Sequence, residues 1–172
     1  MNQVIQTIKT RRSVRAYKQD PVPEELLDKV LEAGTYAPTG MGRQSPVIVA
    51  VKDKPTRDKL MKMNAAVMGT DNDPYYGAPV IVLVLADKAA NTRVQDASCV
   101  LENMMLAAHA LGLASVWVNR EKEMFESAEG KALLQKWGLI APLEGVGAIA
   151  LGYPAAPPAP AKPRKDGYII KI

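Results

Sequence analysis

Thr10-Arg11-Arg12-Ser13-Val14-Arg15-Ala16-Tyr17 packs three guanidinium groups and a hydroxyl into five residues, just after an apolar N-terminal segment. Arg11, Arg12 and Arg15 carry planar, multi-donor heads that suit a dianion, and Ser13 adds a short hydroxyl contact. A phosphate ester fits such a clamp. Two other readings stay open here. Arginines after a helix can simply offset the negative end of its dipole. A basic cluster can also meet nucleic acid, although this one is short and the net charge is only +4.

Working outward, Asn2 can cap a helix carrying Val4, Ile5 and Ile8 on one side and ending near Lys9 and Thr10. The arginines therefore follow a helix C-terminus, where carbonyl oxygens repel an anion. Guanidinium charge, and not a glycine loop, has to supply the attraction. The segment from Pro23 to Gly34 reads as a second helix, opened by proline, acidic in its first turn and closed by glycine. Its buried stripe is Leu26, Leu27, Val30 and Leu31.

The loop Tyr36-Ala37-Pro38-Thr39-Gly40-Met41-Gly42-Arg43-Gln44-Ser45-Pro46 is studded with donors and acceptors. Thr39, Gln44 and the backbone can read the edge of a heteroaromatic ring, and Gly40 and Gly42 permit close approach. The plainer alternative is a helix-to-strand connection. Val47–Val51 reads as a buried strand, a helix with Asn64 runs from about Thr56 to Met68, and Pro79–Ala86 is a second apolar strand. The polar loop between them, Gly69–Gly77, either faces substrate or is merely solvated.

The longest helix spans about Thr92 to Leu111 and is apolar nearly all round, which predicts burial against several partners or a subunit contact. Cys99 reads there as a packed small hydrophobe, and His109 as a capped or surface histidine. Ser115–Asn119 is a third strand. A short helix follows with Leu133, Leu134 and Trp137, and Glu144–Gly152 is a fourth strand. Trp137 reads as core, whereas Trp117 reads equally as core or as a site residue, since it leads into Asn119-Arg120.

Five prolines between Tyr153 and Pro163 predict a stiff, extended arm. Beyond it come Lys162, Arg164 and Lys165, then the strand-like Tyr168-Ile169-Ile170-Lys171-Ile172. An apolar strand on such an arm either adds to a partner subunit's sheet or folds back on its own.

The composition bounds these readings. The chain has 172 residues, 48% hydrophobic and 23% charged, which is the profile of one globular domain. No apolar run approaches the roughly 18 residues of a membrane span, and the first residues do not read as a signal peptide. One cysteine excludes an internal disulfide and suits a reducing cytoplasm. One histidine and one cysteine cannot build a zinc cluster, so no metal is expected. Aromatics at 5% leave little for base stacking, so no nucleic-acid partner is expected despite a pI near 9.1.

Arg11-Arg12-Ser13-Val14-Arg15, then Ala37-Pro38-Thr39-Gly40 with Gln44, the buried helix, and finally Lys162-Pro163-Arg164 resemble the FMN-dependent nitroreductase family, in order over nearly the whole chain. The resemblance implies an α+β fold, with a central, mostly antiparallel sheet wrapped by helices. It also implies a homodimer with FMN at the interface and a C-terminal strand extended onto the partner subunit. Residues 1–153 would form the FMN-binding domain, and 154–172 an arm and strand of the same unit. The flavin phosphate and ring edge would be held by Arg11, Arg12, Ser13 and Arg15 of one subunit, joined by Lys162 and Arg164. Pro38, Thr39, Gly40 and Gln44 would come from the other. Asn64 matches a position that hydrogen-bonds the isoalloxazine, and the backbone of Val118, Asn119 and Arg120 matches the segment approaching the flavin N5. Many members carry an acidic residue and glycine, or two glycines, where this chain has Asn119-Arg120.

The implied activity is transfer of hydride from NADH or NADPH through FMN to a nitroaromatic, quinone or similar flat acceptor. FMN carries that chemistry, and the protein supplies placement and electrostatics. No catalytic side chain is assigned, because no carboxylate pair or Ser/His/Asp set presents itself. Alternatives are a flavin-modifying or dehalogenating member of the same fold, and a flavin- or nucleotide-binding module without turnover.

Overall fold

An unbroken apolar run belongs in a strand covered on both faces. In the computed structural model, which describes residues 2–172, that strand is β2 (Val80–Asp87), buried from Val80 to Ala86. Its side chains alternate between two layers. Ile81, Leu83 and Leu85 pack with Leu60, Met124 and Phe125. Val80, Val82 and Val84 pack with Leu27, Val100 and Met104. β1 (Pro46–Val51), β3 (Ala114–Val118) and β4 (Leu143–Gly152) complete a sheet of order β1-β2-β4-β3 in which every pair is antiparallel. Helices α2 (Glu24–Thr35) and α4 (Arg93–Ala110) cover one face, and α3 (Lys54–Met68), α5 (Glu121–Glu126) and α6 (Ala128–Lys136) cover the other. The α+β class expected from the sequence is the one observed. No described helix is long and apolar enough to cross a membrane.

Helix α1 (Gln3–Thr10) starts as read, with the Asn2 side chain accepting from the Val4 and Ile5 amides at 2.9 and 3.3 Å. Its apolar side has no cover within the chain: Val4, Ile5 and Ile8 are 65%, 52% and 54% exposed.

Several local readings need correction. Gly34 does not end α2, which continues to Thr35. It is glycine because a Cβ there would lie 2.8 Å from the Met104 side chain on α4. β1 is an edge strand paired only to β2, so its residues before Val51 are half-buried. The helix expected from about Thr56 starts earlier, at Lys54, because Asp53 caps α3 by accepting from the Thr56 amide (2.9 Å). Cys99 is exposed, because it falls on the side of α4 turned from the sheet. Residues 168–172 form no strand in this chain; they are exposed and join neither edge of the sheet. The reading in which the tail folds onto its own sheet is thereby ruled out.

Candidate cofactor site

The arginine stretch runs out of α1 and alongside the outer strand β3. Arg11 caps α1, its amide donating to the Thr7 carbonyl at 3.0 Å. Ser13 then bridges Ser115 in parallel, with the Val14 amide donating to the Ser115 carbonyl at 3.1 Å. Val14 and Tyr17 anchor the segment by burial. The Tyr17 hydroxyl lies 2.7 Å from the Val14 carbonyl oxygen and 3.1 Å from that of Ala150, and burial raises its pKa. The same segment holds the start of the C-terminal arm: the Lys18 amide donates to Tyr153, and the Ala155 amide to Ala16, both at 2.9 Å. The segment after α1 and the start of the C-terminal arm are thus stitched together at the backbone.

Beside this seam lies a cavity of about 230 Å³, lined among others by Arg11, Arg12, His109, Ser115, Pro154 and Pro158. Arg12 Nη1 donates to the Lys9 and Arg11 carbonyls at 2.9 and 2.6 Å, so it closes the C-terminus of α1. Arg11 Nε sits 3.8 Å from Glu102, while its Nη1 is buried with no hydrogen-bond acceptor. His109 Nε2 is 2.8 Å from the Thr10 hydroxyl. Burial, then the charges of Arg11 and Arg12, lower its pKa. The cavity therefore has positive potential and an unspent donor. Arg15 points elsewhere, over the Tyr76 ring at 5.9 Å. Lys162 and Arg164 are exposed, and Arg164 Nη2 donates to the Lys162 carbonyl at 2.7 Å. Pro158, in the cavity wall, is four residues before Lys162, a reach of at most about 14 Å.

The second group of expected residues stands at the other end of α4. A cavity of about 310 Å³ is lined by Gly34, Thr35, Thr39, Gln44, Ile48 and Val100 among others. The loop is fastened by Asp96, a buried carboxylate that accepts from the Gly40 amide and the Thr92 hydroxyl, each at 3.0 Å. A Cβ on Gly40 would lie 2.2 Å from Thr92 Oγ1, so only glycine permits this approach. The Thr39 hydroxyl accepts from the Gln44 amide at 3.0 Å, and Pro38 is exposed beside them. Asp96 and His109 are thirteen residues apart on one helix, about 20 Å along its axis. One chain does not bring the arginine cavity and the Thr39/Gln44 loop together.

The third group meets at the end of β3. Asn64 is fully buried. Its Nδ2 donates to the Asn119 carbonyl (2.9 Å) and to the Tyr75 hydroxyl (3.2 Å), while its Oδ1 accepts from Arg120 Nε (2.7 Å). Tyr75 in turn donates to Glu121 Oε1 at 3.0 Å. In this structure Asn64 is engaged at both ends of its amide, holding the turn instead of facing a cavity. Val118 is buried, and the exposed Asn119 accepts from Trp117 Nε1 at 2.8 Å through its side chain. Trp117 is thus partly core and partly a brace for the turn.

Arg120 has φ 87°, a left-handed conformation that costs a non-glycine residue about 1–2 kcal/mol. Glycine would adopt it freely; here the Arg120–Asn64 hydrogen bond offsets the strain. Arg120→Gly is therefore expected to destabilise less than Arg120→Ala, by about 1 kcal/mol in urea unfolding. Equal losses would remove the strain argument.

Sequence reasoning missed Asp96, Tyr75 and Glu121. None lies in a motif, and each is recognisable only by what it is buried against. Burial pushes the Glu121 carboxyl up to about 7 from an ordinary value near 4.5. Its own backbone amide, the Tyr75 hydroxyl and Arg120 pull in the opposite direction, and Glu123 adds to the rise. Because the folded value is raised, this group stabilises the fold fully below about pH 4.5 and loses that contribution as pH rises towards 7. Glu121→Gln is thus expected to gain on wild type by roughly 2–3 kcal/mol between pH 4.5 and 7.5, read from paired urea titrations. A constant difference across that range would contradict the assignment.

Comparison with known proteins identifies the family to which this fold belongs. The nitroreductase family profile matches residues 8–70 and 68–153. The chain belongs to the nitroreductase family. A nitroreductase from Bacteroides fragilis, solved with bound FMN, superposes with a TM-score of 0.91 at 33% identity, covering 100% of both chains. A relative in Methanothermobacter thermautotrophicus is 32% identical over 160 residues, 90% of this chain and 79% of that protein. The FMN reductase [NAD(P)H] of Bacillus subtilis is 28% identical over 181 residues, 90% of this chain and 67% of its own. Within the nitroreductase frame, the α+β architecture expected from the ordered motifs is the observed one.

Proposed function

We propose that this nitroreductase family member is a cytoplasmic, homodimeric FMN-dependent oxidoreductase that uses NADH or NADPH to reduce a flat acceptor such as a nitroaromatic or quinone. The observation that carries the reading is the buried Arg11 Nη1, which has no acceptor in a cavity walled by a second arginine and a histidine. A buried donor without a partner is costly, and a phosphate removes the cost. The residues present therefore fit the flavin mononucleotide that the Bacteroides fragilis nitroreductase holds.

Arg11 and Arg12, with Ser13, would hold the phosphate end. Lys162 and Arg164 would close over it when the arm is seated. Arg15 would face the ring edge from its place beside Tyr76, and Pro38, Thr39, Gly40 and Gln44 would complete the site from the second subunit. Val118, Asn119 and Arg120 would present backbone to the ring, with Asn64 fixing them from behind. When bound, FMN supplies acceptance and delivery of hydride, and the protein's part is to place and polarise it.

The exposed Val4, Ile5 and Ile8 and the exposed Tyr168–Ile172 support a second copy as the missing cover, with residues 154–172 as an arm shared between protomers. The purified protein should be yellow, with an FMN absorption band that NADH or NADPH bleaches under anaerobic conditions. A colourless protein that ignores added FMN would refute the reading. A yellow protein that neither nucleotide bleaches would make it a binding module.

A further inference from the structure

Glu121 is a fully buried carboxyl that the proposed chemistry leaves without a task. Its Oε2 is buried with no hydrogen-bond partner, while Oε1 takes the Tyr75 hydroxyl. From Oε1 a continuous chain of contacts runs outward. Tyr75 donates to Glu121, Asn64 Nδ2 donates to Tyr75 and to the Asn119 carbonyl, and Arg120 Nε donates to Asn64 Oδ1. Both residues of the strained turn are thus tied, through two side chains, to one carboxyl.

The groups that act on that carboxyl are few. On its own helix and the preceding turn they are Arg120 and Glu123. From α3 it meets the neutral Asn64, and from the loop before β2 the titratable Tyr75. From β4 it meets the backbone of Gly145, and α6 packs on the backbone of Met124 and Phe125 through Gly130. Arg120 is the cation among these groups, and it is already engaged with an amide oxygen. An ionised carboxylate is a stronger partner for guanidinium than an amide oxygen, so it competes for Arg120.

We infer that Glu121 is a positioning residue for the Val118-Asn119-Arg120 turn, acting through Tyr75 and Asn64. As the neutral acid it leaves Arg120 on Asn64 and the turn braced for flavin; as the carboxylate it draws Arg120 away and loosens flavin retention. The link to flavin rests on the function proposed above, whereas the link to the turn does not.

The test uses the full chain, without and with FMN. In the flavin-free protein, the backbone amide resonances of Asn119 and Arg120 should titrate with a midpoint near pH 7 in wild type. They should stay flat in Glu121→Gln, an isosteric neutral variant. In Tyr75→Phe the midpoint should move upward, because the lost hydroxyl favours the carboxylate. FMN affinity should fall about tenfold between pH 6 and 8.5 in wild type and stay level in Glu121→Gln.

Amides that do not titrate, or that titrate alike in Glu121→Gln, overturn the inference. Titrating amides with pH-independent FMN affinity overturn its flavin half. Titrating amides in a protein that binds no FMN at any pH uphold control of the turn and refute the cofactor reading instead.

Discussion

Arg11→Ala is expected to weaken FMN binding by roughly 10- to 150-fold while leaving the flavin-free protein as stable as wild type, or slightly more so. The first half follows from the loss of a charge-assisted contact, worth about 1.5–3 kcal/mol. The second follows from the state of the side chain without ligand. Its Nη1 is buried and unpartnered, and its contact with Glu102, at 3.8 Å and half exposed on the Glu102 side, is a surface ion pair of small value. Truncation removes an unsatisfied donor and little else. Fluorescence titration of FMN together with urea unfolding of the flavin-free protein measures both. Arg12→Ala is the informative contrast: Arg12 closes α1 through two carbonyls, so its loss should also fray that helix. A flavin-free Arg11→Ala protein that loses several kcal/mol would show that Arg11 is a structural residue, and the phosphate reading would fall.

Asn64→Ala should destabilise the fold by about 3 kcal/mol. The amide is fully buried, and removing it strands the Asn119 carbonyl and Arg120 Nε, each at about 1–3 kcal/mol if no water enters, while the Tyr75 hydroxyl keeps its bond to Glu121. Arg120 would keep its left-handed strain and lose the bond that offsets it. Urea unfolding of flavin-free protein reads the loss directly. If Asn64 served only to touch flavin, the variant would unfold like wild type and lose affinity alone. Both Asn64→Ala and Arg11→Ala therefore separate holding the protein from holding the cofactor, with opposite expected answers.

The parts of the fold that were legible in the sequence are those where local pattern and tertiary context agree. β2 announces itself as an unbroken apolar run because both its faces are covered. The start of α1 is written in Asn2, whose side chain caps it as read. α5 was invisible because six residues carry too little periodicity to register. Gly34 misled because a glycine after an apolar stripe looks like a helix stop, whereas its purpose is the close approach of Met104. Residues 168–172 have the composition of a strand, but composition does not supply a pairing partner, and in this chain they join neither edge of the sheet.

For the site, the ordered motifs led to the family because spacing along the chain was enough to recognise it. The resemblance they carry also implies a site divided between two subunits; what the motifs do not contain is what keeps its two groups apart within one chain. The distance between Gly40 and Arg11 follows from their being fastened to opposite ends of α4, by Asp96 and beside His109. Neither tie is visible before the chain is folded. The same holds for Glu121, an unremarkable acid in Glu121-Lys122-Glu123 until its burial against Tyr75 is seen.

If two copies of the chain complete each flavin site, as proposed, mixing two defective versions reveals it most directly. Arg11→Ala and Thr39→Ala/Gln44→Ala proteins are each expected to bind FMN poorly. Refolded together from equal amounts, they should yield hybrids holding one tight FMN per dimer, because one of the two sites then receives wild-type residues from both protomers. If every site is built within a single chain, the hybrids carry one defect in each, and no tight FMN will be recovered.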